Sequence, residues 1–153
     1  MISKTPVRWG ILSTGRIAHS FARDFPYVKN AELTAVASRN KTTAAAFAGE
    51  YGIANAFGSY RELFESDQVD AVYIATPHTL HLMNILDALN AGKSVLCEKP
   101  FTVNPLECER VIQRAAETGL FVMEAMWTYF LPAVRKAQKW VEEGRIGRLR
   151  HIK

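Results

Sequence analysis

Cysteine is almost missing from this chain: Cys97 and Cys108 are the two among 153 residues. Two thiols cannot build a disulfide scaffold, and with no CxxC or Cys/His spacing they offer no metal site. Long apolar runs are missing too. Nothing approaches the roughly 18 consecutive apolar residues of a membrane span, and the opening Met1-Ile2-Ser3-Lys4-Thr5-Pro6 has no apolar stretch of the kind a secretory leader carries. A large charge of one sign is also lacking, the formal net charge being +4. Part of it lies at Arg135, Lys136, Lys139, Arg145, Arg148, Arg150 and Lys153. No recognition element accompanies these bases, so a nucleic-acid partner is not expected. The cysteine usage fits a reducing, cytoplasmic setting. What remains is 48% apolar and 22% charged, the balance of a soluble domain with a proper core.

Short β-rich runs alternate with helical ones. Strands are expected at residues 7–12, 33–37, 54–57, 71–75, 94–97 and 120–124. Between them, Ala18, Phe21, Ala22 and Phe25 share a helix face that stops at Pro26, and Ala44, Phe47, Ala48 and Tyr51 share another. Ser59-Tyr60-Arg61-Glu62 is a capping box. Leu82, Ile85, Leu86 and Leu89 mark a helix closed by Gly92. Asn104-Pro105 opens another, with Cys108, Val111, Ile112 and Ala115 inward. Such alternation predicts an α/β fold, a Rossmann-type doubly wound parallel sheet with helices on both faces. The pattern changes after Glu124. An aromatic cluster at 127–130 precedes a C-terminal helix with Val134, Ala137 and Val141 inward, and residues 147–153 read as the start of a further strand. The expected division is therefore a nucleotide-binding domain over 1–124 and, over 125–153, a connecting segment that begins a truncated second domain.

The first strand runs into Ser13-Thr14-Gly15-Arg16-Ile17-Ala18. A pyrophosphate at a helix N-terminus needs a tight turn and close backbone approach, which Gly15 permits, and Ala18 lets the helix lie close to the sheet. Ser13 stands where the first glycine of GxGxxG/A is expected; the strand–turn–helix context carries the motif. The second strand ends in Ser38-Arg39-Asn40-Lys41, with no carboxylate for a ribose 2′-hydroxyl. Ser38 donates and Arg39 offers a planar fork, and both suit a 2′-phosphate. The cofactor expected is NADP(H), with NAD(H) the weaker alternative.

Further stretches carry a resemblance. Cys97-Glu98-Lys99-Pro100, Thr76-Pro77-His78 with His81, and the turn at 13–18 resemble the glucose–fructose oxidoreductase/inositol dehydrogenase (Gfo/Idh/MocA) family. Residues Glu124-Ala125-Met126-Trp127-Thr128-Tyr129-Phe130-Leu131-Pro132 resemble the branch that contains dimeric trans-dihydrodiol dehydrogenases and NADP-dependent xylose dehydrogenases. The resemblance implies that Lys99 is catalytic. Oxidising an alcohol removes a hydride from carbon and a proton from oxygen, and a lysine amine can relay the proton. It also implies that Glu98 binds the nicotinamide ribose, that Pro100 follows a cis peptide, and that Thr76, Pro77, His78 and His81 lie by the cofactor. Trp127 would border the substrate pocket. Tyr129 departs from the arginine frequent in this branch.

Members of that family carry a second domain that supplies substrate contacts and a dimer face. The implied function is an NADP(H)-dependent oxidoreductase of sugars or vicinal diols, homodimeric when full-length. This chain would provide the cofactor half and turn over little alone. A non-catalytic NADP-binding redox sensor or interaction module is the alternative, against which the Glu98-Lys99-Pro100 stretch argues.

Overall fold

The computed structural model describes residues 5–151. Six strands form one parallel sheet: β1 (Val7–Leu12), β2 (Ala31–Ala37), β3 (Asn55–Phe57), β4 (Ala71–Ile74), β5 (Ser94–Cys97) and β6 (Val122–Glu124). Their order across the sheet is β3-β2-β1-β4-β5-β6, the doubly wound arrangement. Helices α1 (Arg16–Asp24), α2 (Lys41–Tyr51), α3 (Tyr60–Glu65), α4 (His81–Asn90) and α5 (Pro105–Thr118) make the connections, and α6 (Pro132–Glu142) follows the sheet.

Local chemistry explains the boundaries. Asn40 caps α2 by accepting from the Thr42 and Thr43 N–H groups, Ser59 caps α3 through Glu62 N–H, and Asn104 caps α5 through Glu107 N–H. The Glu62 carboxylate reaches back to Gly58 N–H at 3.3 Å, completing the box one residue before the cap. Helix α1 ends at Asp24, two residues before Pro26.

Two apolar cores form, one on each face. Ile11, Val36 and Tyr73 pack with Ala18, Ala22, Phe47 and Ala48 of α1 and α2. On the other face, Leu12, Val72, Ile74 and Cys97 pack with Leu63, Ile85, Leu89 and Val111 of α3, α4 and α5. All four residues of β4 are buried, as expected for a strand covered on both sides. Gly10 lies beneath α3, and a Cβ built there would stand 3.1 Å from both Leu63 methyls and 3.2 Å from Val69 Cγ1.

Four expectations change. Strand β2 begins at Ala31 rather than Leu33, and β6 at Val122 rather than Leu120. The inner face of α4 is His81, Asn84, Ile85, Ala88 and Leu89, so Leu82 and Leu86 sit at its flanks. Ile112 of α5 is 61% exposed, because Val111 alone fills the contact with the sheet. No residue of α6 is buried, since the helix packs mainly on the 3₁₀ turn Trp127–Phe130 and not on the sheet. Residues 147–151 form no strand, and Ile152 and Lys153 lie outside the described residues.

Replacing Gly10 by Ala is expected to destabilise the fold by about 1–3 kcal/mol through overpacking against Leu63 and Val69. Urea unfolding would measure it, and a midpoint equal to that of the parent would contradict the close packing.

Candidate cofactor and active site

The pairing register brings the ends of the central strands level. Leu12 is beside Ile74, and Ile74 beside Cys97. The residues that follow, Ser13, Thr76 and Glu98, therefore emerge along one edge of the sheet.

At the first of these ends the backbone turns through Ser13, whose φ is +91°. A non-glycine residue pays for that torsion. Ser13 N–H is held by the Ala37 carbonyl at 2.8 Å, so the torsion is built in. Gly15, the N-cap of α1, has φ −74° and ψ 174°, extended backbone that any residue adopts. Its missing Cβ would meet only Ser13 Oγ, at 3.7 Å. The division of labour thus differs from that expected of the turn: Ser13 bears the glycine-like torsion, and Gly15 leaves open space in front of the helix. No side chain caps α1, so the first N–H groups of that helix lack the partner that Asn40, Ser59 and Asn104 provide elsewhere. Thr14 is half-buried beside them, and Arg16 and Ile17 are exposed.

At the tip of β2, the Ser38 hydroxyl accepts from Asn40 N–H at 3.3 Å, which leaves its proton free to donate. Asn40 spends its side chain on the α2 cap. Arg39 is exposed and forms no ion pair among the described residues. Burial pushes the nearby Tyr60 phenol up, against the pull of the Arg39 charge.

Six residues line a cleft of about 310 Å³ between the ends of β1, β4 and β5: Ile17, Thr76, Pro77, His78, Glu98 and Lys99. All six were singled out from the sequence. The Lys99–Pro100 peptide is cis, also as expected. Lys99 and His78 are exposed, while Glu98 is 9% exposed. The Glu98 carboxylate accepts from the Tyr73 hydroxyl at 2.6 Å and from Lys99 N–H at 3.2 Å. Beyond the proline, Phe101 N–H donates to Glu124 at 2.8 Å and ties the loop to β6.

His81 does not join this cleft. It is 1% exposed, with Nδ1 2.8 Å from the Pro100 carbonyl oxygen and Nε2 2.9 Å from that of Thr76. Carbonyl oxygens only accept, so the ring's donating capacity is spent inside the protein. The cofactor contact expected of His81 gives way to a clasp between the two loops that flank the cleft. Asn84 tightens the same knot by donating to Thr76 Oγ1 at 2.9 Å.

Trp127 lies in a neighbouring aromatic cleft of about 730 Å³, with Trp9, Phe21, Tyr73 and Phe130. Ile17 and Glu98 line both clefts and form the wall between them. Cys97, next to this wall, is fully buried, and burial pushes its thiol far up; it is no nucleophile. Sequence reasoning missed Tyr73, Asn84 and Glu124. The available signal for Tyr73 was a lone hydroxyl in an otherwise apolar strand, which has to find a partner.

A doubly wound parallel sheet with an uncapped helix at its first turn and a Glu-Lys-cis-Pro loop two strands away is the architecture of a dinucleotide-binding oxidoreductase domain. Residues 7–126 match the model of the oxidoreductase family with an NAD-binding Rossmann fold (GFO_IDH_MocA), and the chain belongs to that family. Among curated proteins it is 41% identical over 146 residues to a mouse (Mus musculus) trans-1,2-dihydrobenzene-1,2-diol dehydrogenase, covering 94% of this chain and 44% of that protein. It is 39% identical to an NADP(+)-dependent D-xylose 1-dehydrogenase from Hypocrea jecorina, covering 92% of this chain and 39% of that one. These are the branch that the 124–132 stretch resembles. The crystal structure of KijD10, a 3-ketoreductase from Actinomadura kijaniata in complex with TDP-benzene and NADP, superposes with a TM-score of 0.89 at 36% identity, over 95% of this chain and 46% of that one. The apo scyllo-inositol dehydrogenase of Lactobacillus casei gives 0.87 at 28% identity, over 95% and 44%. The chain spans less than half the length of each of these relatives.

The two turn residues separate in mutagenesis. Ser13→Gly is expected to raise stability by about 1 kcal/mol through relief of the φ +91° torsion. Gly15→Ala is expected to leave the melting temperature unchanged, because its Cβ enters open space, yet to abolish dinucleotide binding in a fluorescence titration. Retained binding would show that nothing approaches the turn closely.

Proposed function

We propose that this chain is the cofactor-binding part of an NADP(H)-dependent oxidoreductase acting on CH–OH groups of sugars or vicinal diols. The carrying observation is the cleft that gathers Ile17, Thr76, Pro77, His78, Glu98 and Lys99 at the ends of three adjacent strands. The residues fit a dinucleotide. The uncapped start of α1 and the space before Gly15 suit a pyrophosphate, and Ser38 with the unpaired Arg39 suits a 2′-phosphate. Two of the similar proteins carry NADP in their names or crystals.

The bound cofactor supplies or accepts the hydride; the protein's own groups handle the rest. Glu98, fixed by two donors, presents its remaining lone pairs to the ribose hydroxyls. Lys99, exposed at the mouth of the cleft, delivers or takes the hydroxyl proton of the substrate. Ile17 closes the apolar side. Trp127 borders the substrate end, where the aromatic cleft adjoins the wall formed by Ile17 and Glu98. Residues 1–124 form the nucleotide-binding domain, and 125–153 lead towards a second domain that completes the substrate pocket and the dimer face. Among the described residues no helix is long and apolar enough to cross a membrane. A cytoplasmic location agrees with that and with the two unpaired cysteines.

The 153-residue chain is expected to bind NADPH more tightly than NADH in fluorescence titrations. Arg39→Ala should weaken NADPH by about tenfold or more, the worth of a charge-assisted phosphate contact, with NADH unaffected. Equal affinity for the two cofactors would refute the phosphate role. In a length of chain that supports turnover, Lys99→Met should lower kcat by at least about a hundredfold while NADPH still binds. Unimpaired function in that variant would favour the non-catalytic sensor.

A further inference from the structure

Tyr73 sits in the middle of β4, 2% exposed, on the sheet face that α1 covers. Its hydroxyl donates to Glu98 Oε1 at 2.6 Å, the length of a charge-assisted bond. Phe21 of α1 lies flat on its ring, with centroids 3.9 Å apart and planes 11° from parallel. Burial and the carboxylate beside it push the Tyr73 phenol far above its ordinary range, so it stays a donor. A carboxylate as buried as Glu98 needs such donors to remain in place. Tyr73 holds one oxygen, and Lys99 N–H holds the other at 3.2 Å. The carboxylate plane is thereby fixed, and each oxygen keeps lone-pair capacity for a hydroxyl in the cleft.

We infer that Tyr73 is a positioning residue for cofactor binding: it orients Glu98 towards the ribose diol of the nicotinamide half, with Phe21 of α1 as its backing. The inference rests on the reading of Glu98 as the ribose ligand. It adds a chain of contact from the phosphate turn to that ligand, since α1 begins at the turn and carries Phe21. A tyrosine that served the core alone would act independently of Glu98.

The test is a double-mutant cycle on NADPH affinity in the 153-residue chain, using Tyr73→Phe, Glu98→Gln and the pair. Tyr73→Phe keeps the stacked ring and removes the hydroxyl. Tyr73→Met removes it with a flexible filler, so that a folded variant is at hand. The expected result is about tenfold weaker NADPH binding for the loss of one buried charged hydrogen bond, with no further loss when the tyrosine change is added to Glu98→Gln. If Glu98→Gln weakens binding but Tyr73→Phe does not, or if the two effects simply add, the positioning role is overturned while the ribose role of Glu98 stands. If Glu98→Gln leaves NADPH binding untouched, both fall together.

Discussion

The site depends on a constraint of parallel sheets: every connection must cross a face, and the chain wound outward from β1 reverses direction between β1 and β4. At that reversal the helices leave on opposite faces, α1 on one and α4 on the other, and a crevice opens between them. The register then decides what fills it. With Leu12, Ile74 and Cys97 level, the next residues of three strands meet at one edge. A slip of one residue in β5 would exchange Glu98 with a side chain of the opposite face, because strand side chains alternate. Both cores resist that slip. Val95 and Cys97 are packed on the α3–α5 side, while Leu96 packs towards the α1–α2 side.

The same alternation explains why Tyr73 is the residue that meets Glu98. Its β5 partner is Leu96, which points to the face that Glu98 shares. Val72 and Ile74 point the other way, into the α3–α5 core. A charged side chain at the top of a buried strand is costly unless its oxygens are satisfied. The fold meets that cost from within β4 and from the Lys99 backbone rather than from solvent. His81 and Asn84 work in a similar way one loop over, where buried polar groups tie Thr76 to Pro100 and hold the two walls of the cleft together.

Most of the fold was legible because the signals that carry it are local. Strands β1 and β5 have the expected bounds, and the Asn40, Ser59 and Asn104 caps place three helix starts. Six residues of the central cleft were legible through motif and resemblance. What stayed hidden was non-local. The burial of His81 depends on two carbonyls, at Thr76 and Pro100, brought together only by the sheet. Ile112 and the apolar positions of α6 fit a helical period, yet periodicity names a face without saying what stands opposite it. Here Ile112 is exposed, and α6 leans on the Trp127–Phe130 turn instead of the sheet.

The phosphate turn shows why a motif is better read as a set of physical demands than as a row of letters. A glycine pattern combines two requirements, a left-handed torsion and an unobstructed approach for the ligand. In this chain they fall on different residues, the torsion on Ser13 at φ +91° and the open approach on Gly15. The first can be borne by a serine, because strain of about 1–3 kcal/mol is tolerable when surrounding bonds over-determine the turn, as the Ser13–Ala37 bond does here. The second has no such remedy: a Cβ in front of the helix would occupy the volume that a phosphate needs. A departure from the pattern at Ser13 therefore leaves the binding function intact, whereas the same departure at Gly15 would remove it.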